Sequence, residues 1–178
     1  MEKKFNTHTL VMVALLVSLH IVFVRIMPIG SGNVRISLGF LPIAVAGMCF
    51  GPLGGGTVAV IADIVGMILF SRGEVYFPLF TISEFLQGAG FGLFLKKREL
   101  SHFKTSICVV AQYFLVNLFL TSLWLYFYSI IIVGTHQGYW LIFVSRLIAA
   151  SVNLPLQIAG INIVLKYLKK PLKKILRQ

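Results

Sequence analysis

Charge is scarce in this chain, and negative charge scarcest. Of 178 residues only 12% are charged, and five are Asp or Glu against 16 Lys or Arg. A soluble domain carries about a quarter charged residues. With 58% hydrophobic residues and a mean hydropathy of +0.92, a water-soluble fold of this size has nowhere to hide its apolar surface. The class is an all-α integral membrane protein. Cysteine is nearly absent: Cys49 and Cys108 both lie in apolar runs, with no spaced pairs that would mark a disulfide framework or a zinc site. Four scattered histidines form no H-E-x-x-H motif, and no Ser or Cys sits beside an evident base. The glycine-rich turn "GPLGGG" (51–56) is followed by no lysine, so it is not a phosphate loop. The expectation is a non-catalytic protein with no cofactor and no metal.

Six long apolar runs are present, at 8–27, 36–51, 52–71, 78–95, 104–133 and 139–168. Each approaches the ~17–25 residues that span a bilayer as a helix. The first follows basic residues, but no A-x-A cleavage site comes after Met27, so it reads as a retained helix. The basic residues fix a topology. With the N-terminus inside, Arg25, Arg35 and Arg72 lie on or near the outer side and Arg146 lies within the sixth run, while all the others fall inside. The positive-inside rule then places both termini in the cytoplasm, with residues 1–178 as one six-helix membrane domain. The net charge of +11 becomes a topology feature, and nucleic acid is excluded as a partner. The basic tail "LKYLKKPLKKILRQ" is a solvated anchor that can also lie on anionic lipid.

Charges inside the apolar runs share one depth. At ~1.5 Å of rise per residue, Glu84 lies ~9 Å below the outer entry at Pro78, Asp63 ~12 Å below the outer end near Ser71, and Arg146 ~10 Å below Tyr139. Arg25 is nearer the surface. His20 is at a similar depth and reads as a packed, hydrogen-bonded residue. Asn117, Asn153, Gln87 and Gln157 lie nearer the middle. Ionisable groups in a membrane face the bundle interior or a water-filled cavity. Several at one level, under the loops "MPIGSGNVR" (27–35) and "SRGEVYFP" (71–78), point to an outward-facing pocket; mutual ion pairing that only braces the helices is the alternative. Arginine forks suit carboxylates and planar rings. Tyr76, Phe77 and Tyr139 are aromatic surfaces close by.

Several motifs add a family. The run "VRISLGFLPIAVAGMCFGPLGGGTVAVIADIVGMILF" and the later "YFPLFTISEFLQGAGFGLFL" resemble the folate-family substrate-binding subunits (S components) of energy-coupling factor vitamin transporters. The similarity runs over about residues 10–98, with Arg146 and Pro155 in the sixth run also similar. It implies a six-helix subunit in a prokaryotic cell membrane, binding folate or a related vitamin near the outer face beneath gating loops. It implies as partners a transmembrane coupling protein and two cytoplasmic ATPases. It also implies a docking face on the first helix, where an A-x-x-x-A motif is matched by Ala14 and Ser18. The expected binding residues are Arg25, Arg35, Arg146 and Arg72 for anionic or polar groups, Tyr76, Phe77 and Tyr139 for rings, and Asp63 and Glu84 for ring N–H donors. Alternatives are an S component for another vitamin or a purine-like compound, a self-sufficient ion-coupled carrier, and a ligand-free scaffold.

Overall fold

The computed structural model describes residues 7–31, 34–71, 73, 75–96, 102–135 and 138–175. Helix α1 (Thr7–Ile21) continues into a wider π-helical turn, Val22–Ile26. A short antiparallel ribbon follows, β1 (Ile29–Ser31) and β2 (Val34–Ile36), with Gly30 opposite Arg35. Then come α2 (Phe40–Leu69), α3 (Pro78–Lys96), α4 (His102–Gln112) and a π-helical stretch, Tyr113–Leu120. That stretch passes into α5 (Thr121–Tyr128) and a last wide turn, Ser129–Val133. Finally α6 runs from Tyr139 to Ile175. Among the described residues four helices are long and apolar enough to cross a membrane: Thr7–Ile26, Phe40–Leu69, Thr105–Val133 and Tyr139–Tyr167. Helix α3, interrupted by Glu84, Gln87 and its glycines, is outside that set.

The all-helical expectation needs one amendment. Residues 36–39, read from hydropathy as the start of a helix, instead end the β ribbon and turn. Ser37 explains the difference, because its hydroxyl caps the turn. Ser37 Oγ donates to Phe23 O at 3.1 Å and accepts from Gly39 N at 3.1 Å, so the local side chain satisfies groups that a helix would otherwise have to.

Helix α2 folds back on itself at its middle. Gly51 has φ 83° and ψ −167°, a region essentially restricted to glycine, and Pro52 follows. A Cβ on Gly55 would lie 2.7 Å from Gly47 Cα and 2.6 Å from Gly88 O, and one on Gly47 would lie 2.7 Å from Gly92 N. Residues 40–50, 52–69 and α3 therefore meet backbone to backbone, as small residues at four-residue spacing permit in lipid. Around this junction Phe40, Ile43, Ala44, Ala59, Phe91, Leu95, Val109 and Ile161 form one buried core. Leu16, Val17, Ile21, Ala46, Val58 and Ala62 form a second, between α1 and α2. Large apolar residues elsewhere face outward, Leu53, Ile68 and Trp140 among them at 75%, 76% and 73% exposure. That is the pattern of a lipid-facing surface, and β2 packs against α6 at one end of the bundle.

Candidate ligand-binding site

A cavity of about 230 Å³ opens between α1, the end of the β ribbon, α2, α3, the π-helical stretch and α6. Its wall repeats at helical spacing. His20 and Val24 come from the first helix, Phe40 and Ile43 from α2, and Glu84 and Gln87 from α3. Tyr113 and Asn117 come from the π-helical stretch, and Arg146, Ala149, Asn153 and Gln157 from α6. Residues three or four apart lie on one helix face, so α3, the π-helical stretch and α6 turn polar residues inward, while α2 contributes the apolar Phe40 and Ile43. The roof is tied down locally. His20 Nδ1 donates to Gly39 O at 3.0 Å, and Ser37 reaches Phe23 O as described, so the chain leaving the ribbon is pinned to the top of the first helix. His20 is thus hydrogen-bonded as the sequence suggests, and it also lines the cavity.

The cavity is polar and incompletely satisfied. Glu84 Oε2 and Gln157 Oε1 are both buried with no hydrogen-bond partner among the described residues. Arg146 Nη1 donates to Asn117 O at 3.1 Å. The π geometry helps provide that acceptor: the Thr121 N–H turns to Val116 O, five residues back, instead of to Asn117 O. Glu84 and Arg146 line one cavity, yet no ion pair joins them among the described residues. A buried polar group without a partner costs free energy, about 1–3 kcal/mol or more when charged. A site that leaves a buried acid oxygen and a buried amide oxygen without partners, with a guanidinium lining the same cavity, is suited to a ligand that meets them.

The other predicted residues fall into four groups. Arg25, Asp63 and Tyr76 form a network beside the cavity. Arg25 Nη2 lies 3.8 Å from Asp63 Oδ1, Thr81 Oγ1 donates to Asp63 Oδ2 at 2.7 Å, and Tyr76 Oη bonds Thr81 Oγ1 at 3.0 Å. Phe77 and Tyr139 stand in two aromatic groups, neither among the cavity-lining residues. Phe77 packs with Phe80 and Tyr128 at centroid separations of 5.6 and 5.8 Å, and Tyr139 with Tyr126 and Phe143 at 6.1 and 6.0 Å. Arg35 is on β2, and Arg72 lies outside the described residues. Ala14 and Ser18 are exposed on α1, with Ser18 Oγ bonded back to Ala14 O at 2.9 Å. The lining residues the sequence reading left out, Tyr113 above all, carried a usable pattern. Tyr113/Asn117 and Arg146/Asn153/Gln157 are polar residues on single faces of otherwise apolar helices.

These features define a membrane-embedded helix bundle enclosing a polar cavity for a small molecule. Residues 4–172 match the family described as "ECF-type riboflavin transporter, S component". The chain belongs to the S components of ECF-type transporters. It is 34% identical, over 86% of its length and 84% of the relative, to the folate transporter FolT of Clostridium novyi (strain NT). It is 27% identical, over 68% of its length and 65% of the relative, to a folate transporter FolT of Leuconostoc mesenteroides. Among solved structures, FolT bound with folic acid superimposes with a TM-score of 0.77 and 32% identity, covering 88% of this chain and 90% of that one.

Proposed function

We propose that this chain is the folate-binding S component of an ECF transporter in a prokaryotic cell membrane. The observation that carries this reading is the polar, unsatisfied cavity in a chain whose fold matches that of a folic-acid-bound relative. The family description names riboflavin, but the two curated relatives both are folate transporters. At about 230 Å³ the cavity is smaller than the ~300–1,000 Å³ of pockets that enclose drug-sized ligands. It therefore takes the ring end, leaving the aminobenzoyl-glutamate portion toward the outer loops. Arg35 and Arg72 are assigned there to the glutamate carboxylates, and Phe77 and Tyr139 to the rim. Arg146 holds a polar edge of the ring, and Arg25, Asp63 and Tyr76 brace the helices around it. The loops 27–35 and 71–78 gate the entrance.

The whole chain is one domain with six crossings, α2 supplying two of them through its reversal at Gly51, and both termini are cytoplasmic. Transport energy comes from two cytoplasmic ATPases through a transmembrane coupling protein, which docks on the exposed Ala14/Ser18 face of α1. The chain itself catalyses nothing.

The test is equilibrium binding to the purified protein alone, with riboflavin, thiamine, biotin and pantothenate as controls. Saturable binding of folate and of none of the others is expected. Absence of folate binding, or preference for riboflavin, would overturn the assignment. Ala14→Leu with Ser18→Leu is expected to leave that binding intact and to abolish uptake in proteoliposomes containing the partner complex.

A further inference from the structure

The helix that brings Tyr113 and Asn117 to the cavity is wound wider than an α-helix from Tyr113 to Leu120. Thr121 stands at the end of that stretch. Its backbone N–H and its hydroxyl both go to Val116 O, five residues back, the hydroxyl at 2.8 Å. Helix hydroxyls ordinarily bond back three or four residues. Ser18 and Ser145 do so here, to Ala14 O and Ile142 O. A bond to the fifth carbonyl belongs to the wider winding, so the Thr121 hydroxyl favours that winding over the α register.

In an α-helix the Thr121 N–H would occupy Asn117 O. Here that carbonyl is left over, and Arg146 Nη1 from α6 donates to it at 3.1 Å. Asn117 and Arg146 belong to the cavity wall, whereas Thr121 is not among the lining residues. The same device recurs on the first helix. In the wide turn Val22–Ile26 the Met27 N–H goes to Val22 O at 2.9 Å, and the freed Phe23 O takes the Ser37 hydroxyl at 3.1 Å. Twice, then, a widened turn frees a backbone acceptor at membrane depth, where an unsatisfied carbonyl is costly, and a side chain from the cavity wall fills it.

We infer that Thr121 is a positioning residue of this site: by holding the wide register it keeps Asn117 O open to Arg146, and so fixes the guanidinium where a ligand meets it. Without the hydroxyl, the Thr121 N–H can return to Asn117 O and Arg146 loses its anchor. The freedom it gains must then be given up again on binding, which weakens the ligand. The inference rests on the folate-binding reading for its ligand, but the coupling of Thr121 to Arg146 is a property of the ligand-free protein as well.

The test is a double-mutant cycle on the full-length protein in detergent, with Thr121→Val, Arg146→Met and their combination. It is read by unfolding without ligand and by folic acid binding. Valine keeps the shape of threonine and removes the hydroxyl. Thr121→Val is expected to weaken folic acid by about 5- to 10-fold, and Thr121→Ser, which keeps the hydroxyl, to stay within about threefold of the wild type. In the Arg146→Met background Thr121→Val should change affinity less than about twofold, because the group it positions is gone. In the ligand-free protein the unfolding losses of the two single variants should sum to more than that of the double variant. A residue that merely packs the helix would weaken folic acid equally in both backgrounds, and its unfolding loss would add to that of Arg146→Met. Either result would overturn the inference, as would a serine variant as weak as the valine one. Should Thr121→Val fail to fold, Thr121→Ala runs the same cycle. A wild type that binds no folic acid would overturn the folate assignment, and the unfolding cycle would then decide the coupling by itself.

Discussion

Thr81 and Glu84 are one turn apart on α3, and the polar clusters they belong to could hardly be more different in completeness. Around Thr81 every group has an answer: its hydroxyl donates to Asp63, accepts from Tyr76, and Asp63 is also met by Arg25. Around Glu84 the buried carboxylate oxygen has none, and neither does Gln157 across the cavity. Both clusters place charge within apolar helices, where it is expensive. The first offsets that cost internally and so acts as a brace between the first helix, α2 and α3. The second leaves its cost standing, which under the proposed function a ligand relieves. Charge buried in a membrane helix is therefore ambiguous in sequence, and what separates a brace from a binding site is whether its partners belong to the chain.

The comparison can be broken most forcefully at the closed cluster. Asp63→Ala removes the partner of Arg25 and the acceptor of Thr81, and is expected to cost about 3 kcal/mol of stability, read by thermal or denaturant unfolding in detergent. An unchanged unfolding midpoint would show that the network braces nothing. Next comes the open cluster. Arg146→Met is expected to weaken folate about 30-fold, since it removes charge-assisted donors from the ligand, while costing only about 1 kcal/mol of apo stability through the lost bond to Asn117 O. A finer test uses Tyr76→Phe, which removes one hydroxyl at the end of the brace and is expected to cost about 1 kcal/mol. Combined with Thr81→Val, the two losses should fall short of additivity, because each variant already removes the bond they share. The smallest effect is expected at the rim. Phe77→Leu and Tyr139→Leu should change folate affinity less than about threefold. Losses beyond tenfold there would mean that the rings lie against the ligand and that the cavity closes around it differently.

Much of the fold was legible because lipid imposes simple rules. Run lengths and hydropathy mark the helices: the fourth run was read as 78–95 and α3 is Pro78–Lys96. The glycine pairs four apart, Gly47/Gly51 and Gly88/Gly92, mark close backbone approach, and Gly47, Gly88 and Gly92 do stand at such approaches, with Gly55 joining them. The β ribbon and its turn were not legible, because residues 36–39 continue the apolar run that follows them, whereas the Ser37 hydrogen bonds hold them in a turn. In the candidate site, the common depth of Glu84, Asp63 and Arg146 could be read from helical rise. Which of them face each other could not, since depth says nothing of rotation about the helix axis. Asp63 and Glu84 share a level, yet one turns to Arg25 and Thr81 and the other to the cavity. Tyr113 carries no formal charge, so charge patterning does not mark it; its i, i+4 spacing to Asn117 on one helix face does.

The measurement that tests the brace-and-site account most directly is the thermal unfolding of Asp63→Asn and Glu84→Gln, each with and without saturating folate. The account predicts that Asp63→Asn lowers the apo midpoint and keeps the folate-induced rise. Glu84→Gln should keep or raise the apo midpoint, because it removes an unmet buried acid, and lose most of the rise. The opposite assignment of the two effects, or the same pair of effects in both variants, would contradict it.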